Sequence, residues 1–366
     1  MHLRPRRQVT TAGLAIIAVA LAACSSSSSP TTTATGTSTG TASAAASGAK
    51  LSGTLNGSGS SFQLIFQQTA IQNFKTVQPN MTVNYGGGGS GKGRTDLSSG
   101  VTNFAGSDSP VPTAEESNFA GKTVLYFPVF LGPITVSYNL SGVSNLKLDA
   151  TVLANIFQGK ITKWNDPAIA ALNSGVSLPS TAVTIAVRSD SSGTTQNFSL
   201  YLEKAAGSAW TLGSSSTIKW PATARAGMGN GGVAQIIKST PGAIGYVDYA
   251  DAKAASLSFA SIKNSSGNYI APSPESASAA GSAITVSANL TFHAVDSPAP
   301  QAYPITYQSW VLVIQAQSNS NNAAMLKAYI GYLLGDGQQL LTGLGYAPLP
   351  SNILTQAQAQ VSKIGT

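Results

Sequence analysis

The chain has 366 residues, 42% of them hydrophobic, which is enough to build one large folded domain or two ordinary ones. Only 9% of the residues are charged, and the formal net charge of +7 includes Arg4, Arg6 and Arg7 of the first segment. This mild positive excess, with no stripe of Lys and Arg between aromatic residues, argues against a nucleic-acid-binding protein.

The first segment has the pattern of an export signal. Basic residues come first, and an apolar run over residues 12–23 follows that is too short to span a bilayer comfortably. The run ends in Leu21-Ala22-Ala23-Cys24, and Cys24 is the only cysteine, so no intramolecular disulfide can form. We predict a lipoprotein signal peptide over residues 1–23, with diacylglycerol and a palmitoyl chain on Cys24. The alternative is an ordinary cleavage site with an incidental cysteine.

Residues 24–50 consist almost entirely of Ser, Thr, Ala and Gly. Such a segment has too little apolar bulk to offset the entropy of ordering. We predict a disordered tether that lifts the folded part off the membrane; low-complexity drift without a function would look the same.

After Leu51, helical and strand patterns alternate, which favours an α/β fold. Helical stripes are predicted around Phe66, around Phe198 and over residues 325–334, where Gly335 and Gly337 end the pattern. Strands are predicted from the following segments: Met81, Val83 and Tyr85; Val183, Ile185 and Val187; and residues 307–314.

Three Gly/Ser-rich loops each precede a predicted helix: residues 57–62, residues 86–93 and residues 191–194. The N–H groups and partial positive charge of a helix N-terminus can cradle an oxyanion. The hydroxyls of Ser61, Ser90, Ser192 and Thr194 would add donors. Each loop alone is more often a capped turn, but three together indicate an anion site.

Two charged residues sharpen this prediction. Arg188 offers a planar fork for two oxygens of a tetrahedral anion, although a salt bridge to Asp190 would also explain it. Asp108 would repel an anion unless the anion carries a proton. Hydrogen phosphate has an O–H that a carboxylate can accept, and sulfate has none, so Asp108 would select phosphate.

A nucleotide site is a weaker interpretation of the second loop. Gly86-x-x-x-x-Gly91-Lys92 begins like a P-loop, but Gly93 stands where the magnesium-binding Ser or Thr should be.

The sequence resembles the substrate-binding proteins of phosphate-specific ABC transporters, the PstS family. The resemblance extends from Leu55 to about Leu349 and is carried by several motifs in the family's order. They are GSGSSFQLIF, VNYGGGGSGKG, FAGSDSPV, LANIFQGKITKWNDPAIAALN, VRSDSSGTTQNFSLYL, GNGGVAQIIKSTPGAIGYVDYA and YPITYQSWVLV.

The resemblance implies a two-lobed periplasmic-binding-protein fold of type II, with two mixed-sheet α/β lobes joined by a hinge. Residues 51–131 and 306–366 would form lobe I, and residues 132–305 would form lobe II. Phosphate would bind in the cleft, and the ligand set that matches the family's motifs comprises Ser61, Phe62, Ser90, Asp108, Arg188, Ser192, Gly193 and Thr194. Asp190 would orient Arg188.

The resemblance also implies a function and partners. The protein would be an extracytoplasmic, lipid-anchored receptor that delivers inorganic phosphate to an ABC permease with cytoplasmic ATPases. It would act as a monomer, without a metal, a cofactor or nucleic acid, and would not be an enzyme.

The sequence departs from the family pattern at three places. Ser61 replaces a frequent Thr and keeps the hydroxyl, while Gln63 replaces the usual Pro. Gly91 and Lys92 replace residues that are commonly Ser and Gly, and the sequence does not assign a role to Lys92. These departures leave affinity open, but not the ligand class.

Three other functions compete with this interpretation of the sequence. A secreted phosphate-ester hydrolase lacks parts, because after signal removal only His293 remains as histidine, and we expect it on the surface or at a cap. A binding protein for another oxyanion would have no use for Asp108. A surface adhesin could retain the fold without the ligand.

Overall fold

The computed structural model describes residues 51–365, in which helices and strands alternate as predicted. The strands predicted from Met81 and Tyr307 are confirmed. The strand predicted from Val183 begins one residue later, and the first predicted helix begins at Leu64, so that Phe62 lies in the loop before it. The predicted signal peptide, Cys24 and the tether lie outside the described residues.

Within residues 51–365, twelve strands carry the labels β1 to β12. In chain order they are β1 Gly53–Gly59, β2 Met81–Gly86, β3 Phe104–Ser107, β4 Val124–Tyr138, β5 Lys147–Leu148, β6 Thr184–Arg188, β7 Arg225–Gly227, β8 Ala243–Asp248, β9 Ser258–Phe259, β10 Ser261–Lys263, β11 Tyr269–Ile270 and β12 Thr306–Ile314.

In the described part of the chain, eleven α-helices lie between and after these strands. They are α1 Leu64–Val77, α2 Ser90–Ser98, α3 Thr113–Glu116, α4 Ala150–Phe157, α5 Pro167–Leu172, α6 Gly193–Ala206, α7 Gly229–Ser239, α8 Tyr249–Ala254, α9 Pro274–Gly281, α10 Ser320–Leu333 and α11 Ser351–Gln360.

One mixed sheet of nine strands organises the fold. Its order is β2-β1-β3-β12-β4-β8-β6-β7, and β9 pairs with the end of β4 on the edge opposite β8. Strand β1 runs parallel to β2 and β3, whereas β12 runs antiparallel to β3 and β4. Strands β7 and β8 both run parallel to β6. The predicted α/β class is therefore confirmed.

Strand β4 joins two halves of this sheet. Residues 124–133 of β4 pair with β12, and residues 134–138 pair with β8. We call β1, β2, β3 and β12 the first half-sheet, and β6, β7 and β8 the second half-sheet. The partner change lies close to the predicted lobe boundary after residue 131, but the assignment of whole segments to lobes stays a prediction.

The polar loops predicted from the sequence follow the carboxyl ends of strands. Ser60 follows β1, Asp108 follows β3, and Arg188 is the last residue of β6. In open α/β sheets, ligands bind in the crevice beyond these strand ends. The topology therefore gathers loops that are far apart in sequence at one cleft.

A register shift between Ser309 and Trp310 interrupts the pairing of β12 with β4. Such bulges redirect side chains and are frequent beside functional sites. Because Trp310 pairs with Ser107 of the antiparallel β3, the preceding Ser309 lies beside Asp108.

Among the described helices, none combines the length and the apolar content needed to cross a membrane.

Candidate functional site

Asp108 lies at the centre of the cleft and is only 1% exposed. Its Oδ2 accepts hydrogen bonds from Ser60 Oγ at 2.7 Å and from Ser90 Oγ at 3.3 Å, and its Oδ1 accepts one from Ser309 Oγ at 2.5 Å. Its backbone N–H donates to Ser90 Oγ at 3.1 Å, which fixes the turn after β3. A carboxylate has about four acceptor sites, so the hydroxyls leave one for another donor.

Burial raises the pKa of Asp108 to about 6, although the hydrogen bonds from Ser309 and Ser60 and the charge of Arg188 oppose this shift. Burial dominates because the protein replaces water around the charged carboxylate. Near neutral pH the group is still mostly ionised, and it therefore accepts hydrogen bonds rather than donating one.

A chain of buried amides and hydroxyls supports Ser309 from behind. Gln63 Nε2 donates to Ser309 Oγ at 2.7 Å, and Gln67 Nε2 donates to Gln63 Oε1 at 2.9 Å. The Tyr329 hydroxyl donates to Gln67 Oε1 at 2.5 Å. Gln63, which departs from the family pattern, thus orients a hydroxyl that contacts Asp108.

Arg188 provides the positive charge on the opposite side of the cleft. Its Nε donates to Asp190 Oδ1 at 2.8 Å, and its Nη2 forms a second, short bond to Asp190 Oδ2. Nη1 contacts Thr194 Oγ1 at 3.3 Å and Asn230 Oδ1 at 3.2 Å. Burial opposes the charge of Arg188, but the hydrogen bonds and charge of Asp190 outweigh it and raise the pKa of the guanidinium.

The N-terminus of α6 lies between these two charged groups. Ser192 caps the helix, because its Oγ accepts from the Thr195 N–H at 3.1 Å. The first intrahelical bond runs from the Gln196 N–H to Ser192 O. The N–H groups of Gly193 and Thr194 precede it, so no intrahelical carbonyl is available to them.

Gly193 makes a close approach between the two sides of the cleft. A Cβ at this position would lie 2.5 Å from Ser90 Oγ and 2.7 Å from Asp108 Oδ2. Such distances are too short for any side chain larger than hydrogen, so glycine is required for this contact. The N-terminus of α6 thereby lies directly over the carboxylate.

Ser61 and Phe62 complete the cleft. Ser61 Oγ accepts from the Asn230 N–H at 3.2 Å, and Asn230 in turn contacts Arg188. The Phe62 N–H donates to Ser60 Oγ at 3.1 Å, which aims this part of the loop toward Asp108. All eight predicted ligand residues are buried. Hydrogen bonds made by these residues or by their neighbours connect the two sides of the cleft.

Several residues of the cleft were missed by sequence reasoning, namely Ser60, Asn197, Asn230 and Ser309. Asn197 Nδ2 donates to Asp108 O at 2.7 Å across the two half-sheets. A signal existed for Ser309, because Gln308 and Ser309 are polar residues within an otherwise apolar, buried strand. The sequence alone did not reveal their neighbours, which come from loops up to 201 residues away.

Two residues lie away from this chemistry. Lys92 Nζ pairs with Asp96 at 2.5 Å and its side chain is 52% exposed, so it belongs to the solvated face of α2. His293 is exposed, as predicted. Within residues 51–365, no group of three or more His, Cys, Asp or Glu side chains is placed to hold a metal ion.

Comparisons with known proteins agree with this architecture. The model of the PBP superfamily domain matches residues 44–336. The phosphate-binding protein PstS 3 of Mycobacterium tuberculosis is 35% identical over 321 residues, which cover 85% of this chain and 86% of that protein. The phosphate-binding protein PstS of Pasteurella multocida is 36% identical over 318 residues, or 84% of this chain and 89% of that protein.

A solved structure shows the same fold. The phosphate-binding protein from Stenotrophomonas maltophilia superposes with a TM-score of 0.67 at 17% identity, covering 84% of this chain and 93% of that one. The predicted two-lobed periplasmic-binding-protein fold is thus confirmed. The sequence relatives belong to a family of transport proteins that bind a substrate without converting it, which sets the hydrolase interpretation aside. By its family model, its sequence relatives and its fold, the chain belongs to the PstS family of phosphate-binding proteins.

Proposed function

We propose that this protein captures inorganic phosphate between its two lobes on the outer side of the cell membrane and delivers it to an ABC importer. The ligands are the eight residues predicted from the sequence, with residues 51–131 and 306–366 in one lobe and residues 132–305 in the other.

The observation that carries this proposal is the buried carboxylate of Asp108 opposite the buried guanidinium of Arg188. The guanidinium and the N-terminus of α6 attract an anion. The carboxylate accepts hydrogen bonds from hydroxyls but has no proton to offer, so it favours an anion that brings its own O–H. Hydrogen phosphate has that O–H near neutral pH, whereas sulfate would leave Asp108 facing an unpartnered charge.

Contacts across the cleft support capture by closure. Gly91 N–H donates to Ser191 O at 3.1 Å, and Asn197 bonds to the backbone of Asp108. A ligand that touches both half-sheets stabilises the arrangement in which they meet, because it gains its full set of contacts only there.

The remaining parts of the proposal rest on the leader, for the anchor, and on the family, for the partner. Cleavage after Ala23 and acylation of Cys24 would hold the protein on the membrane surface, with residues 24–50 as the tether. The proposed partner is a membrane permease with cytoplasmic ATPases, and the receptor would act as a monomer.

Metabolic labelling with a radioactive fatty acid tests the anchor on Cys24. The label should enter the wild-type chain and be absent from Cys24→Ser.

Isothermal titration of the purified chain with phosphate, followed by sulfate, tests the ligand. We expect saturable phosphate binding at one site and no displacement by sulfate. Absence of phosphate binding would overturn the proposed function, and preferred sulfate binding would replace its ligand.

A further inference from the structure

Tyr307 lies next to the cleft and was not part of the predicted ligand set. It is the second residue of β12, it is fully buried, and its Cα pairs with Gly132 of β4. Its ring stacks on that of Phe62, with centroids 4.0 Å apart and an interplanar angle of 18°. The stack fixes the ring beside the loop that carries Ser61 and Phe62.

The Tyr307 hydroxyl has no hydrogen-bond partner within residues 51–365. An unpartnered hydroxyl in a dry interior is unfavourable, because the group lost its bonds to water on folding. Most other buried tyrosines near the cleft are satisfied: Tyr85 bonds to Ser60 O, Tyr346 bonds to Phe62 O, and Tyr246 bonds to Thr195. The exception at Tyr307 therefore requires an explanation.

The stack on Phe62 holds the Tyr307 ring beside the loop of Ser61 and Phe62, and charged groups of the cleft act on its hydroxyl. Burial raises the pKa of Tyr307 well above its usual value, and the carboxylates of Asp108 and Asp248 raise it further. The neighbouring Thr194 side chain opposes the shift, although the two hydroxyls do not form a hydrogen bond of normal geometry. Tyr307 thus keeps its proton, close to Asp108 of one half-sheet and to Thr194 of the other.

We propose that the Tyr307 hydroxyl donates a hydrogen bond to the bound phosphate, as a ligand additional to the eight predicted residues. This inference rests on the proposed function. A phenolic O–H is a suitable donor to a phosphate oxygen, and a bond to a charged acceptor is stronger than one between neutral groups. The hydroxyl would have a hydrogen-bond partner only when phosphate is present. The bond would therefore strengthen phosphate binding and would not stabilise the ligand-free fold.

Titration of the Tyr307→Phe variant with phosphate tests the inference. Phenylalanine keeps the ring that stacks on Phe62 and removes only the hydroxyl. We expect the phosphate dissociation constant to rise roughly tenfold, the effect of losing one hydrogen bond to a charged group. The ligand-free variant should unfold at the same temperature as the wild type or higher, because an unpartnered hydroxyl contributes nothing to the empty fold.

Tyr201→Phe is the matched control. Tyr201 is also fully buried with an unpartnered hydroxyl, but it lies near Tyr303, Asp296 and Asp149, outside the cleft. Its variant should bind phosphate like the wild type.

The outcomes separate this inference from the proposed function. If the wild type binds phosphate and Tyr307→Phe binds it equally well, the role of Tyr307 is wrong and the proposed function stands. If the wild type binds no phosphate, both are wrong. A readout on the wild type alone is ¹³C NMR of tyrosine labelled at Cζ: a buried resonance should shift on phosphate addition, and unchanged tyrosine resonances would contradict the contact.

Discussion

The two sides of the cleft differ in charge and in kind of donor. The first half-sheet brings a carboxylate ringed by the hydroxyls of Ser60, Ser90 and Ser309. The second half-sheet brings Arg188 and the N-terminus of α6. The two sides therefore contribute separately to attraction and to selection. The positive side would bind any small anion, and the negative side would accept only an anion that has a proton to donate.

The positive side is also partly neutralised before any ligand binds. Asp190 occupies Nε and Nη2 of Arg188, and burial raises the pKa of Asp190 less than the bonds and charge of Arg188 lower it, so both groups remain ionised. Nη1 donates to Thr194 and Asn230, so the second N–H of Nη2 and the first N–H groups of α6 remain for the ligand. Attraction therefore depends on directed donors more than on net charge.

Removing the positive side should have the largest effect. We expect Arg188→Ala to weaken phosphate binding roughly a hundredfold or more, because truncating one partner of a buried charged contact costs about 2–5 kcal/mol. Calorimetric titration measures the loss. The control is Arg225→Ala, an exposed arginine of the second half-sheet whose guanidinium hydrogen-bonds to Thr240. An unchanged titration of Arg188→Ala would remove Arg188 from the site.

The buried carboxylate of Asp108, on the negative side, should make the stability of the ligand-free fold depend on pH. A folded pKa of about 6 against 3.8 unfolded means that the native Asp108 binds its proton more tightly. Below pH 3.8 the carboxyl does not change the free energy of unfolding. As pH rises from 3.8 through 6, it lowers the free energy of unfolding progressively, by roughly 3 kcal/mol in total. Asp108→Asn should therefore gain stability relative to the wild type over this interval, as measured by chemical unfolding of the ligand-free chain.

Asp96→Asn provides the control of opposite sign. The hydrogen bonds from Lys92 and Ser58 outweigh burial and lower the pKa of Asp96, so its contribution is present at neutral pH and lost as pH falls. A stability difference between wild type and Asp108→Asn that stays constant from pH 4 to 7 would contradict the burial argument.

Selection should depend on the same carboxylate. We expect Asp108→Asn to lower the preference for phosphate over sulfate by roughly tenfold or more, because the amide can donate to a fully ionised oxygen that the carboxylate would repel. Competition between the two anions measures this ratio directly. If the ratio does not change, Asp108 does not select the ligand.

The close contact of Gly193 with the opposite side of the cleft should be sensitive to one added methyl group. We expect Gly193→Ala to weaken phosphate binding roughly tenfold, because the added Cβ would meet Ser90 and Asp108 and overpacking costs about 1–3 kcal/mol. The control is Gly331→Ala, where α10 has open space around the added atom. Equal affinity of the two variants would show that the half-sheets need not approach this closely.

The sequence predicted the fold class and the positions of the principal elements, because hydrophobic periodicity and motif order are local properties. It also predicted Ser90, Asp108 and Arg188 as members of one site, from the Gly/Ser-rich loops, the chemistry of a protonated anion and the resemblance to the PstS family. It did not predict that Ser60 and Ser309 would bond to Asp108, because these contacts depend on the registers of β1 and β12 against β3 and, for Ser309, on the bulge beside Trp310. Nor did it show that Phe62 would stack on Tyr307.

The central claim is that one side of the cleft attracts an anion and the other requires it to carry a proton. The most direct test is a calorimetric titration of the wild-type chain with phosphate near pH 7.5 in the presence of excess sulfate. The account predicts the same phosphate affinity with and without sulfate. Loss of phosphate binding in sulfate, or no phosphate binding at all, would contradict it.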